Sequence, residues 1–169
     1  MKILPLILTA FPIAASLSII SPVQAESSSS CSAALESVQK TLQKKTIVGI
    51  TPWDLSNTYS DHPKGRKNGY VIQLAIGEDP TSATPVKGIR SKEWHQAAEV
   101  MNSDKLQASL ATRIIQSCPR IGSVMFLLRQ PGTDHWRNTF GLMGNGEVRP
   151  FTCLEGPLSE KQWGKEICF

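Results

Sequence analysis

Three side chains in this sequence have the types that acid–base chemistry needs: His62, His135 and Arg137. Two imidazoles flanking one reacting group can remove and return a proton. A guanidinium beside them, or the Lys64 ammonium, can hold the negative charge that develops. Such a set suits hydrolysis of a phosphodiester or an ester. His62 follows Asp61 and His135 follows Asp134, but neighbours in sequence say little, because the members of a catalytic set meet in space. The plainer reading of both histidines is that of polar residues in a loop and a turn, facing water. His95, next to Trp94, reads as the surface residue of a helix.

Other chemical signals are sparse. No Gly-x-Ser-x-Gly, His-Glu-x-x-His, phosphate-cradling glycine loop or dinucleotide fingerprint occurs. Asp54, Asp61, Glu78, Asp79 and Asp134 all fall in loops, where a carboxylate pair of the glycosidase kind could sit, but no spacing singles out two of them. Trp53, in Thr51-Pro52-Trp53-Asp54 at the mouth of a long loop, is the best placed of the tryptophans for a ligand contact; covering the core is its simpler role. Trp136 reads as a core residue.

The four cysteines are Cys31, Cys118, Cys153 and Cys168. Cys-x2-Cys spacing is absent, so no zinc site is expected, and no other metal or cofactor either. In an exported chain an even set reads as two disulfides, with three possible connectivities. Cys118 precedes, and Cys153 ends, what reads as a three-stranded meander. Strands of eight residues rise roughly 26 Å, far beyond the span of about 6 Å between bridged Cα atoms, which removes a Cys118–Cys153 pair. Of the two connectivities left, Cys31–Cys118 with Cys153–Cys168 is preferred. The second pair would tie down residues 155–169 and contribute about 3 kcal/mol on the loop-entropy model.

The elements that must position these residues follow from periodicity. Ala34, Leu35, Val38 and Leu42 recur at helical spacing, predicting a helix from Cys31 to Lys45. Thr46–Ile50 is a short β-branched run. Thr51–Gly69 reads as a nineteen-residue loop, long enough to suggest a function. Tyr70–Ile76 alternates as a half-buried strand, and Glu78–Gly88, with two prolines, is another loop. Ser91 and Ser103 are placed to cap a short helix to about Val100 and a longer one from Asp104 to Ser117, which Pro119 stops. The meander runs from Ile121 to Cys153. Asn145-Gly146 predicts a two-residue type I′ turn, which pairs Gly144 with Glu147 and sets Phe140 opposite Phe151, Leu142 opposite Arg149 and Asn138 opposite Cys153. His135, Arg137, Thr139 and Thr152 then share a face that looks solvated. Pro150 marks the last strand as an edge, and Val124–Leu128, apolar on both faces, as central. The order gives an α+β domain: a mainly antiparallel sheet ending in a three-stranded meander, helices packed on one face, and two disulfides.

Residues 1–25 read as a cleaved signal peptide: Met1-Lys2, an apolar run broken by Pro5 and Pro12, and a small-x-small site at Val23-Gln24-Ala25. Removing 25 residues from 169 leaves 144, one domain from residue 31 to 169 behind a disordered tether at 26–30. The formal charge of +4 carries no Lys/Arg block, so neither nucleic acid nor, after signal cleavage, a membrane is an expected partner. The sequence does not indicate an oligomeric state.

Arg113–Cys118, followed by Trp136 with Phe140-Gly141-Leu142 and by Pro150-Phe151-Thr152-Cys153, resembles small exported proteins of cyanobacteria that have no assigned function. The likeness covers about a third of the chain. It implies export and a disulfide-supported α+β domain, and brings no catalytic residues with it. The leading reading is a non-enzymatic secreted or periplasmic module that binds a small ligand or an extracellular protein. The alternatives are a small secreted hydrolase, nuclease- or esterase-like, using His62 and His135, and an extracellular enzyme inhibitor presenting the loop Thr51–Gly69.

Overall fold

A computed structural model describes residues 23–59, 61–63, 65–76, 92–129, 135–154 and 162–166. The apolar stripe of the first helix, α1 (Val23–Gln43), buries Ala34, Val38 and Leu42. Two strands follow, β1 (Val48–Asp54) and β2 (Asn68–Leu74), then the helices α2 (Lys92–Met101) and α3 (Asp104–Ser117). The chain returns through β3 (Ile121–Arg129), β4 (His135–Leu142) and β5 (Val148–Pro150), and ends in the short strands β6 (Thr152–Cys153) and β7 (Lys165–Glu166).

The α+β class holds, with a mixed sheet. Its order is β1-β2-β3-β4-β5, and β6 pairs with β7 separately. Three of the four pairings in the large sheet are antiparallel, but the central one, β2 with β3, is parallel. A parallel neighbour requires a crossover, and α2 and α3 supply it. The meander β3-β4-β5 is present, with β3 central and β5, carrying Pro150, at an edge. Val38, Leu42, Leu110, Ile114 and Ile115 from the helices meet Ile72, Leu74, Val124, Phe126, Leu128 and Phe140 from one face of the sheet in the main core.

Four expectations are corrected. Residues 26–30 are not a tether but part of α1, because the Cys31–Cys118 disulfide and a hydrogen bond from Ser30 Oγ to Ser117 O at 3.1 Å hold that turn against α3. The hairpin is shifted by one residue: Phe140 pairs with Pro150 and Leu142 with Val148. The turn closes with Gly146 N donating to Met143 O and Met143 N to Glu147 O, and of its residues Gly146 alone has positive φ, 84°. That is a three-residue loop with glycine in the left-handed position, whereas type I′ needs two such residues. The shift separates Phe140 from Phe151. Phe140 packs edge-on against Phe126, centroids 6.0 Å apart, and Phe151 leaves for the other face. Thirdly, that other face is solvated only in part: His135 and Thr152 are exposed as expected, but Arg137 is half-buried and Thr139 is 1% exposed. The loop expected at Thr51–Gly69 also shrinks to residues 55–67, because both flanking strands extend into it.

Buried polar groups close the corners. Gln107 Nε2 donates to Val100 O and Met101 O, both at 2.7 Å, and Asn138 Nδ2 reaches Met101 O and Gln107 Oε1 at 3.0 Å each. These bonds tie the α2–α3 turn to β4. Ser103 occupies the N-cap of α3 as expected, without a side-chain cap bond. Arg66 Nη1 donates to Ile115 O, Cys118 O and Ile121 O, satisfying carbonyls at the C-terminal end of α3. None of the described helices is long and apolar enough to cross a membrane.

Cys31–Cys118 is the disulfide seen between described residues, with 87 residues of separation. Cys153 is not a free thiol, and its expected partner Cys168 lies outside the described residues. A ring of that length is worth about 4 to 5 kcal/mol on the loop-entropy model. The double substitution Cys31→Ser with Cys118→Ser is expected to lower unfolding stability by this order, read from urea unfolding, with a steeper slope as the unfolded chain loses its cross-link.

Candidate functional site

Isolated glycines inside strands mark places where something approaches the backbone closely. On the helix-free face of the sheet three of them, Gly69, Gly122 and Gly141, lie close together in neighbouring strands. Trp53, Gly69, Ser123, Gly141 and Arg149 form one row across the five strands, and Gly122 sits in the register shift between β2 and β3. With no side chains at Gly69, Gly122 and Gly141, the row becomes a trough. Leu55, Tyr59 and Phe151 are buried over it, with Met143, Trp53 and Trp163 packed around them. A Cβ at Gly141 would stand 2.3 Å from Phe151 Cε1 and 3.2 Å from Trp163 Cζ2, and one at Gly122 would stand 2.7 Å from Arg66 O and 3.0 Å from Trp163 Cη2.

The aromatic side chains meet edge to face. Tyr59 lies 5.7 Å from Phe151 and 5.3 Å from Trp163, and Phe151 lies 5.3 Å from Trp163. Trp163 is fixed at both ends: its Nε1 donates to Leu142 O, and its backbone N to Asp61 Oδ1, both at 2.8 Å. This anchors the ribbon in which β6 runs parallel to β7, with Thr152 beside Lys165 and Cys153 beside Glu166.

Above the trough the ribbon and the 55–67 loop stand apart, leaving a cleft of about 100 Å³. Met125 and Thr139 form its floor, Trp53, Thr58 and Tyr59 one wall, and Leu154, Gln162, Lys165 and Glu166 the other, with Arg137 also lining it and set one pleat beyond Thr139 on β4. Thr139 Oγ1 donates to Glu166 Oε2 at 2.8 Å. Burial raises the Glu166 pKa, opposed by that hydrogen bond and by Arg137. Burial also pushes the Tyr59 hydroxyl up to about 12, with Glu166 adding to the rise and Arg137 opposing it.

No family model, no curated protein and no solved structure matches this chain. The cleft therefore stands on its own chemistry. It joins two residues singled out in the sequence for separate reasons, Trp53 and Arg137. It does not join the histidines. His62, with Nδ1 3.3 Å from Pro63 O, follows Asp61, which holds Trp163 at the Gly141–Leu142 end of the sheet. His135 is exposed at the opposite end of β4, paired with Arg129. Six residues of strand separate the two levels, on the order of 20 Å, so they cannot flank one reacting group. Lys64, Glu78, Asp79 and Asp134 lie outside the described residues. Asp54 caps the backbone N of Ser56. His95 is exposed on α2 and Trp136 packs on the main core, as expected. Among the described residues no three His, Cys, Asp or Glu side chains converge as a metal site would need. Tyr59, Thr139, Lys165 and Glu166 were missed; the signal that could have found them was the glycine in each of three neighbouring strands.

Gly141→Ala is expected to cost about 1–3 kcal/mol by forcing Phe151 and Trp163 off the sheet, measured by thermal melting together with near-ultraviolet circular dichroism. The folded chain holds the Tyr59 proton more tightly than the unfolded chain, whose value is 10.0. The stability this contributes is whole below that pH and is lost as pH rises towards about 12. Urea midpoints across this window should fall more steeply for the unsubstituted protein than for Tyr59→Phe.

Proposed function

We propose that this protein is a secreted or periplasmic binding module, without catalytic activity, that takes a small ligand in the cleft between Trp53 and Glu166. The observation that carries this reading is the lining. An indole, a thioether, a guanidinium, an ammonium and one carboxylate surround a depression floored by Met125 and Thr139 and walled on one side by the half-buried Trp53 and the buried Tyr59. Binding sites are mostly apolar with a few placed polar groups, and this one has that make-up. Its described lining holds one carboxylate and no histidine, whereas glycoside hydrolysis needs two carboxylates and the hydrolase alternative needs both histidines together. The inhibitor alternative needs a loop that projects, yet residues 55–67 bury Leu55 and Tyr59 against the sheet.

Export belongs to the same proposal, with signal cleavage after Ala25 and a second disulfide, Cys153–Cys168, holding the ribbon. Cleavage there removes Val23–Ala25 from α1 (Val23–Gln43) and leaves Glu26 as its first residue. The resemblance to exported cyanobacterial proteins agrees with this. Peptide mapping of the exported, unreduced protein should return an N-terminal Glu26 and both cystine peptides.

Binding is tested by tryptophan fluorescence and calorimetry against a panel of sugars, organic acids, amino acids and short peptides. Trp53→Ala is expected to weaken the responding ligand at least tenfold, and His62→Ala and His135→Ala to leave it unchanged. Turnover of an ester, phosphodiester or glycoside that disappears on substituting either histidine would replace this reading with the hydrolase.

A further inference from the structure

Taking the cleft as a binding site, we infer that its ligand is a small carboxylate carrying one flat or ring-shaped apolar body, the acid group facing Arg137 and the ring lying between Trp53 and Met125. Three observations lead there. The first is charge: the described charged side chains of the lining are Arg137, Lys165 and Glu166, two cations against one acid. That acid already accepts a hydrogen bond from Thr139 and is shifted towards its neutral form by burial. The net field in the cleft therefore favours an anion.

The second is shape. A guanidinium presents five N–H donors in a planar fork that matches both oxygens of a carboxylate, so Arg137 can engage such a group while keeping other partners. The third is the division of the lining. Met125, Leu154 and the Trp53 ring supply apolar surface, and polar atoms come from Arg137, Gln162, Lys165 and Glu166. About 100 Å³ of space is well below the roughly 300 Å³ at which drug-sized pockets begin. It seats one ring. Both an aromatic acid and an acidic monosaccharide present this chemistry: a carboxylate on a ring with an apolar face.

Glu166 adds a pH dependence. The titratable and charged groups around it among the described residues are Tyr59, Arg137 and Lys165. Ionised, Glu166 repels a second carboxylate; protonated, it can donate to one. Affinity should therefore rise as pH falls from neutrality towards the carboxylate range, and Glu166→Gln should flatten that rise.

The experiment titrates the oxidised mature protein with benzoate, benzamide, glucuronate, glucose and inorganic phosphate, following tryptophan fluorescence and thermal shift. Benzoate or glucuronate is expected to bind at least tenfold more tightly than its neutral counterpart. Which of the two prevails tells an aromatic acid from a sugar acid. Arg137→Gln should remove the preference, Arg137→Lys should retain part of it, and phosphate, having no ring, should not compete. If benzamide or glucose binds as well as its acid, or phosphate displaces either acid, the carboxylate assignment falls while the binding module stands. If none of the five binds but another compound of the wider panel does, the assignment falls in the same way. Silence across that whole panel would overturn the binding module itself. The comparison of acid with neutral counterpart uses the unsubstituted protein, so it holds even if Arg137→Gln fails to fold.

Discussion

Everything on the helix-free face depends on the sheet having no side chains along part of one row. Gly69 and Gly141 flank Ser123 in that row, and Gly122 lies beside it in the bulge. Aromatic rings come down onto the backbone in the space so created. Without that descent, the C-terminal ribbon would have no seat and Tyr59 no cover. The cleft would then be open sheet. The bulge contributes too, since an extra residue in β3 lets Gly122 and Ser123 both approach the covering layer. Ser123 Oγ, buried without a hydrogen-bond partner among the described residues, is the polar cost of this close packing.

The two faces of the sheet are thus built on different principles. On the helix side, branched and aromatic side chains interdigitate with three helices, and a short amide network through Gln107 and Asn138 fixes the α2–α3 corner. On the other side a few large rings rest on bare backbone, joined to the rest by hydrogen bonds from Trp163 and Thr139. The first arrangement gives the domain its stability. The second leaves a gap between loop and ribbon in which polar groups of both signs stand close together.

Where local pattern decides structure, the sequence was readable. The stripe of Leu106, Leu110 and Ile114 with Pro119 behind it predicts α3 to the residue, and the alternation from Tyr70 onward predicts β2. Asn145-Gly146 marked a hairpin but not its register. The same dipeptide serves a two-residue and a three-residue turn, and the choice rests on Phe151 leaving for Tyr59 and Trp163, a contact across many residues of chain. The parallel β2–β3 pairing is likewise non-local. At the site, Trp53 and Arg137 stood out by residue type alone. Glu166 did not, because its neighbours Thr139 and Arg137 are far from it in sequence, and the ribbon that carries it offered only Trp163 as a sign of burial.

The Cys31–Cys118 bond divides the molecule in a way that its layers do not. The covalent ring it closes contains β1, β2, α2 and α3 and most of α1, whereas β3, β4 and β5 lie outside it. Pulled from its two ends, the chain would keep that ring as an inextensible node, and the length released would come from the strands beyond Cys118. The wall bearing Glu166 would come away before the wall bearing Trp53. The cleft lies on the seam between that ring and the strands outside it.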